Sequence, residues 1–504
     1  MTHGGCAPVF SFVCWLNFWM THEEKMPYEP VIGLEVHAQL STESKIFSSV
    51  STTFGAAPNS QVSPVCAGLP GVLPVLNRKA VEFAIKMGLA TNCKIAPFSL
   101  FARKHYFYPD LPKGYQISQY EEPLCEHGWL DLELENGTHK RVRIIRIHLE
   151  EDAGKSIHAE EFVAENETLI DLNRCGVPLI EIVSGPDIAS PREANRYLAS
   201  MQKLVRYLGI CDGNMEEGSL RCDANVSVRP VGHKEFGTKI EIKNMNSIRH
   251  VERALEAEIQ RQIDILENGG TIAQETRLWD ASRGVTISMR SKEFEHDYRY
   301  FPEPDLAPLR VEEEWRERVK ASLPELPQAR RNRFIEEYKL SRPHAEVLTE
   351  ERDIADYFEG VARHVSDAKQ AANWVMGEVL RVLSDEKIEI SAFNLPPQAL
   401  AEMITLIEQG AINNKVAREV FEQMRATGKS AREIVKEKGL EQVSDAGVIE
   451  KAIADVLAAH PEEVARYRAG EQKVFGFLVG QLMKATRGKV NPQMANQVLR
   501  EKLE

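Results

Sequence analysis

Proline is distributed unevenly along the chain, and its distribution divides the chain into two regions of different structure. Of the 25 prolines, 20 lie in residues 1–327 and 5 in residues 328–504. Proline fixes φ and lacks a backbone donor, so it interrupts helices and the interior strands of sheets. We therefore predict a turn-rich region that mixes strands and helices, followed by a region that is almost entirely helical.

Alternating patterns in the first region predict strands that have one apolar and one polar face. The longest alternation, over residues 219–229, puts Arg221, Asp223 and Asn225 on its polar face. Shorter alternations occur over residues 31–37, 142–148, 169–172 and 239–243. Apolar residues recur at helical spacing over residues 191–208 and 251–266. Strands and helices are therefore expected to be mixed within one domain.

The expected fold class is α+β, with a mixed-sheet N-terminal domain, an all-α helical domain and a small all-α tail domain. The segment from Leu323 to Pro327 contains two prolines and is typical of a linker, and a weaker break follows near residues 430–445. We place the sheet domain at residues 27–320, the helical domain at residues 321–430 and the tail domain at residues 431–504.

Residues 1–26 are expected to be a separate extension. The stretch from Ala7 to Met20 is mostly apolar, but it is shorter than the ~20 residues that span a membrane. No Lys or Arg precedes Lys25, so the basic start of a secretory signal is missing. We interpret residues 1–26 as a disordered extension or a start site assigned too early, with a membrane anchor as the alternative. No later apolar stretch is long enough to span a membrane, so we expect no membrane association.

The charge balance and the cysteines narrow the class of protein. The net charge is −13, which excludes a protein that coats nucleic acid non-specifically. Residues 411–504 nevertheless carry 16 basic and 13 acidic residues, and Lys484, Arg487 and Lys489 cluster behind an apolar helix. This cluster is either a solvated helix end or a patch that contacts phosphates. The eight cysteines show no repeated spacing, which indicates reduced thiols in a cytosolic chain.

Acidic and histidine residues on the predicted strands form the main chemical signal. Glu35 and His37 share one polar face, and Glu181 interrupts an apolar run. Residues 148–155 contain one histidine, three carboxylates and a lysine, and alternation alone pairs Glu150 with His148. The two interpretations are a solvated polar face and a site for a hard cation such as Mg²⁺. Neither a Walker A loop nor a GxGxxG turn is present, so any ATP binds without these loops.

Two segments combine cations with aromatic residues beside proline turns, at residues 103–110 and 297–305. They are either core aromatics next to turns or the walls of a pocket in which Arg and Lys meet phosphate or carboxylate.

Six of these segments, in this order, resemble the GatB family, the GatB component of the glutamine-dependent aspartyl/glutamyl-tRNA amidotransferase. They are residues 31–37, 68–77, 106–110, 150–155, 215–225 and 298–305. The resemblance runs from about residue 28 to the C-terminus. It implies that the N-terminal domain is a cradle that uses ATP and Mg²⁺ to activate the side-chain carboxylate of misacylated Asp-tRNA(Asn) or Glu-tRNA(Gln). It also implies a cytoplasmic heterotrimer in which an amidase partner supplies ammonia through a channel and a small third partner braces the pair.

The resemblance also implies roles for particular residues. The metal group would be Glu35, His37, Glu151 and Glu181, on the assumption that the strand through His148 ends before Glu151. Weaker candidates for catalytic contacts to phosphate or substrate are Lys104, Tyr106, Lys155 and Arg221, of which Lys104 and Lys155 would bind the nucleotide. In the tail domain, Lys484, Arg487 and Lys489 would bind tRNA.

The chain departs from the family pattern at one place. Many relatives carry a zinc-binding CxC…CxxC motif before residues 68–77, where this chain has Ser48, Val50, Ser63 and Cys66. Structural zinc takes four ligands, so we expect no zinc.

Two other functions remain open from the sequence. A stand-alone ATP-dependent amide ligase would need its own source of ammonia, and no glutaminase signature is visible. A non-catalytic RNA-binding scaffold would explain the basic tail but not the acids within apolar strands.

Overall fold

The computed structural model describes residues 28–134, 137–157, 163, 167–289, 298–440, 446–486 and 492–503. The chain forms two compact units, Met1–Leu323 and Pro324–Glu504. The extension predicted for residues 1–26 lies outside the described residues. Within them, no helix combines the length and apolar character needed to cross a membrane.

The first unit contains the following elements: β1 (Tyr28–Gln39), α1 (Arg78–Ala90), β2 (Lys94–Ile95), β3 (Phe98–Ser99), β4 (Ala102–His105), β5 (Tyr115–Ser118), β6 (Cys125–Glu133), β7 (His139–Glu151), β8 (Lys155–Ile157), β9 (Leu169–Asp171), β10 (Pro178–Ser184), α2 (Pro191–Tyr207), β11 (Leu220–Pro230), β12 (Ile240–Lys243), α3 (Ile248–Glu267), β13 (Glu275–Asp280), β14 (Val285–Ser288), β15 (Phe301–Pro302), β16 (Leu309–Arg310) and α4 (Glu313–Ala321).

A 12-stranded sheet organises this unit. Its main path runs β14-β13-β12-β11-β1-β10-β7-β5-β4-β15, with β6 also paired to β7 and β2 to β6. The β12–β13 pair is parallel, and the other pairs of this sheet in the described residues are antiparallel. The prediction of a mixed sheet is therefore confirmed.

Alternation along the strands gives the sheet two different faces. In β11, Leu220, Cys222 and Ala224 are buried, and α3 packs against this strand. The helices begin where the sequence indicates, since Ser190 and Ser247 accept hydrogen bonds from backbone N–H groups in the first turns of α2 and α3. The helices bury the apolar face of the sheet and leave its second, polar face for other chemistry.

The second unit is helical, and the α+β class is confirmed. Its elements are α5 (Pro327–Glu337), α6 (Arg342–Leu348), α7 (Arg352–Ala362), α8 (Ala368–Trp374), a π-helical turn (Val375–Val379), α9 (Leu380–Glu386), a 3₁₀ turn (Ile390–Ala392), α10 (Pro397–Glu408), α11 (Asn414–Thr427), α12 (Ala431–Lys438), α13 (Ala446–Ala459), α14 (Pro461–Arg468), α15 (Val474–Ala485) and α16 (Pro492–Leu503).

The second unit contains two apolar clusters. The first extends from Phe334 to Val435, and the second joins Ile449 to Leu503. Ala431, Ile434 and Val435 of α12 belong to the first cluster, although the sequence-based bounds put residue 431 in the tail domain. The domain bounds themselves stay a prediction.

Candidate metal and phosphate site

The register of four strands brings the predicted site residues into rows on the polar face. His37 of β1 lies opposite Glu181 of β10 and Arg221 of β11. Glu181 in turn lies opposite His148 of β7. Because directly opposite residues share one face of a sheet, these four side chains form one row. Glu35 lies in the neighbouring row, where its Oε1 accepts a hydrogen bond of 2.8 Å from Asn225.

Two carboxylates and two imidazoles meet at the centre of this face, and we call His37, His148, Glu150 and Glu181 the acid–histidine cluster. His37 Nε2 lies 3.2 Å from Glu181 Oε2 and 3.9 Å from Glu150 Oε1. His148 Nε2 lies 3.7 Å from an oxygen of each carboxylate. Ligand atoms of His37, Glu150 and Glu181 all lie within 4.8 Å of one another, and no other such group of three occurs in the described part of the chain.

The electrostatics of the cluster favour a bound cation. Burial opposes ionisation of Glu181, but His148 and His37 hold the pKa of its carboxyl well below the usual range. Burial likewise opposes a charged His37, yet Glu181 and Glu150 raise the pKa of this imidazole to about 9. Burial and the nearby Glu181 raise the pKa of Glu35. The carboxylates thus hold a proton on His37, in a place where a divalent cation would satisfy the same charge.

The donor set fits a hard or borderline divalent cation. Carboxylate oxygens and an imidazole nitrogen are suitable ligands, and three protein ligands leave positions for water or phosphate. His148 Nδ1 is buried and has no hydrogen-bond partner among the described residues, so the cluster is not closed by the protein groups that surround it.

Glu151 lies elsewhere. The assumption that the strand ends before this residue is wrong, because β7 continues to Glu151 and turns its side chain to the opposite face. There Glu151 contacts Lys113 and accepts a hydrogen bond of 2.9 Å from the backbone N–H of Ile117. The structure brings Glu150 to His37 and Glu181 instead. The alternation of His148 with Glu150 is the sequence signal for this arrangement, and it conflicts with the assignment that the family resemblance implies.

Cationic side chains flank the cluster on two sides. Lys104 Nζ lies 4.9 Å from the ring centroid of Tyr298 and 5.9 Å from that of Tyr106. Its charge is also one of the causes that lower the pKa of Glu181, after burial and the two histidines. The Tyr106 hydroxyl lies 3.4 Å from Gln116 Oε1, to which it donates. These residues therefore combine a cation and aromatic rings beside the carboxylates.

Arg221 is held in place by a buried acid. Its Nη2 donates to Asp152 Oδ2 at 2.8 Å, and the same oxygen accepts a hydrogen bond of 2.7 Å from Gln39. Arg221 Nε is buried and has no hydrogen-bond partner among the described residues. The guanidinium is therefore positioned by one of its edges.

The remaining candidates are not brought to the cluster. Lys155 is exposed on β8, which pairs with β9 in a separate two-stranded ribbon. Lys484 is exposed near the end of α15 in the second unit. Arg487 and Lys489 lie outside the described residues.

Comparison with known proteins identifies the family. Residues 30–317 match the GatB/GatE catalytic domain, and residues 356–503 match the GatB domain. Relatives named as the B subunit of aspartyl/glutamyl-tRNA(Asn/Gln) amidotransferase include that of Thermodesulfovibrio yellowstonii, which is 60% identical over 94% of this chain and 99% of its own length. That of Chlorobium luteolum is 57% identical over 95% of this chain and 100% of its own length. The chain belongs to the GatB family.

Within this GatB-family fold, the positions expected to lack zinc contain a buried lysine. Lys45 Nζ lies 3.5 Å from Cys66 Sγ and donates to the backbone oxygen of Cys175 at 2.6 Å. Ser63 donates to Cys66 Sγ at 3.1 Å, and the oxygen of Val50 accepts from the backbone N–H of Lys45. An ammonium group thus lies against the single thiol. The absence of zinc stays a prediction.

Proposed function

We propose that this chain is the amide-forming component of a tRNA-dependent amidotransferase. It uses ATP to activate the side-chain carboxylate of Asp-tRNA(Asn), Glu-tRNA(Gln) or both, and ammonia then converts the activated group into the amide of Asn-tRNA or Gln-tRNA. Family membership and the printed names of the relatives support this reaction class. The observation that carries the proposal is the acid–histidine cluster between Lys104 and Arg221 on the polar face of the sheet.

The chemistry explains why such a site is needed. A free carboxylate is a poor acyl donor, because an oxide or hydroxide would have to leave. Transfer of the γ-phosphoryl group of ATP to a carboxylate oxygen gives an acyl phosphate and ADP. Ammonia then forms the C–N bond while inorganic phosphate leaves. Both steps develop negative charge on phosphate oxygens, and fixed cations stabilise that charge most effectively where water is excluded.

We assign the metal to His37, Glu150 and Glu181, with Glu35 in the neighbouring row. When bound, Mg²⁺ would neutralise charge on the phosphates. Lys104, beside Glu181 and two tyrosine rings, is placed to bind a phosphate or the substrate carboxylate. Arg221, whose orientation is fixed by Asp152, offers a second cation on the other side of the row.

The partners and the compartment also belong to the proposal. The names of the relatives indicate a complex of several different chains, and we infer a heterotrimer with an amidase, which is the source of ammonia, and a small third partner. We infer a cytoplasmic complex that binds misacylated tRNA through the tail, with Lys484, Arg487 and Lys489 as the contacts. Buried acids on the sheet favour this catalytic role over a purely RNA-binding scaffold.

The test uses the reconstituted complex with misacylated tRNA. Glu35→Ala and His37→Ala should each reduce ATP-dependent amide formation by about 100-fold or more, because misplaced phosphates alone can cost this much. Glutamine hydrolysis by the amidase partner should persist. Asp131→Asn is the control, since Asp131 pairs with Arg141 at the outer end of β6. Wild-type amidation by both alanine variants would contradict the assignment. Amidation by this chain without an amidase, at the wild-type rate with glutamine, would favour a stand-alone ligase.

A further inference from the structure

A slot continues the polar face beyond Glu35, on the side of β11. It has a volume of about 190 Å³ and is lined by Glu35 at one end and by residues of β1, β10, β11 and the segment that enters β12. Glu35 therefore contributes both to the surroundings of the acid–histidine cluster and to this slot. The proposed reaction does not yet use the slot.

The lining of the slot suits a flat ring. Gly33 lies in its floor opposite Asn225, and Val31, Val183 and Phe236 provide apolar walls. Asn225 and Glu35 supply polar atoms at one edge of the slot, where the Asn225 amide already donates to Glu35. Apolar walls with a few placed polar groups are typical of sites that bind small ligands.

The size of the slot limits what it can enclose. Pockets that enclose drug-sized ligands have volumes of about 300–1,000 Å³. A slot of about 190 Å³ can hold an aromatic ring system but not a whole nucleotide. A ribose and phosphates attached to that ring would therefore extend out of the slot, and Glu35 marks the direction of the cluster.

We propose that this slot binds the adenine ring of ATP, so that the triphosphate extends past Glu35 to the acid–histidine cluster. The inference rests on the proposed function, which requires a nucleotide whose phosphates reach that cluster. The terminal adenosine of the tRNA acceptor end carries the same ring and is the second possible source. ATP is favoured because a narrow slot suits one terminal base. The acceptor end brings adjoining nucleotides that need an open surface, such as the aromatic side of the cluster where Tyr120 stacks on Tyr300 at 4.1 Å.

Gly33 provides a direct way to fill the slot. A Cβ built on Gly33 would lie 3.9 Å from the backbone oxygen and from the Oγ of Ser184, which is ordinary contact. The strand conformation of Gly33 is accessible to any residue, so a side chain here should not strain the fold. It would project from the polar face into the space that we assign to adenine.

The experiment measures ATP and tRNA kinetics of the whole reconstituted complex carrying Gly33→Ala or Gly33→Val, together with direct binding of ATP by equilibrium dialysis. Overfilling a packed site costs enough to predict a KM for ATP that rises about tenfold or more with valine and less with alanine. The KM for misacylated tRNA and the glutaminase rate should stay within about twofold of wild type. Gly377→Ala is the matched control, since a Cβ at Gly377 meets nothing within 4 Å.

Each other outcome overturns the assignment. A raised KM for tRNA with an unchanged KM for ATP would assign the slot to the terminal adenosine of the tRNA. Unchanged constants for both would show that the slot binds neither substrate. If valine at this position prevents folding, Val183→Thr gives the same test, because it keeps the side-chain shape and makes the slot wall polar. Failure of the proposed function itself would be visible separately, as an absence of ATP-dependent amidation in the wild-type complex.

Discussion

The two faces of the main sheet are built from the same strands but differ completely in what they bury. On one face, Val36 and Ile182 are fully buried beneath helices. On the other, Glu150, Glu181 and His148 are also almost inaccessible, although each carries or can carry a charge. Burial of apolar groups stabilises the fold, whereas burial of charges costs free energy unless they are paired or bind a cation. The comparison indicates that the apolar face maintains the fold and the polar face performs the chemistry.

The largest effect should follow from a change on the polar face. Glu150→Gln keeps the size of the side chain but removes one ligand charge, so amidation in the reconstituted complex should fall by about 100-fold or more. The free energy of unfolding should change little, since the variant also removes repulsion between Glu150 and Glu181. Kinetics and urea denaturation of the same preparation test both statements. A strongly destabilised variant with normal activity would reverse the roles of the two faces.

The contrast in charge between the sheet and the tail gives the second prediction. Replacing Lys484, Arg487 and Lys489 together by alanine should weaken tRNA binding and leave turnover at saturating tRNA largely unchanged. Each lost phosphate contact removes about 0.7–0.9 from the slope of log affinity against log salt, so three should flatten it by about two to three. A salt titration of tRNA affinity measures this slope. If the slope is unchanged, the cluster is a solvated helix end and the sheet domain is the main RNA surface.

A smaller effect is expected from the apolar face. Ile182 is fully buried on β10, next in sequence to Glu181. Ile182→Val removes one methylene group and should reduce the free energy of unfolding by about 0.5–1.5 kcal/mol. The kcat and KM values of the folded variant should match wild type. A large loss of activity at unchanged stability would show that the apolar face also controls the site.

The smallest expected signal concerns zinc. Metal analysis of the purified chain should show no stoichiometric zinc, because Lys45 rather than a further thiolate lies beside Cys66, while amidation should require Mg²⁺. About one zinc per chain would mean that the ligands lie at other positions.

Local patterns in the sequence predict much of this fold and part of the site. Alternation identifies β11 and its polar face, and helical spacing with serine caps identifies α2 and α3. Alternation also pairs Glu150 with His148, because side-chain direction along a strand is a local property. Whether β7 continues through Glu151 depends on its pairing with Pro178 of β10, which local patterning does not determine.

Long-range register determines the rest of the site. The ion pair of Arg221 with Asp152 joins residues 69 positions apart. The slot requires β1, β10 and β11 to be aligned so that Gly33 faces Asn225. Lys155 follows Asp152 closely in sequence, but it lies on a separate ribbon. Proximity along the chain is therefore a poor guide to which of these charges meet.

The central claim is that the acid–histidine cluster binds the divalent cation that amidation requires. The most direct measurement is binding of Mn²⁺, as a paramagnetic substitute for Mg²⁺, to the reconstituted complex containing wild-type chain, Glu150→Gln or Glu151→Gln. We predict that Glu150→Gln loses the site that the wild-type complex fills, whereas Glu151→Gln retains it, because β7 turns the two side chains to opposite faces. Unchanged binding in Glu150→Gln together with loss in Glu151→Gln would contradict the account.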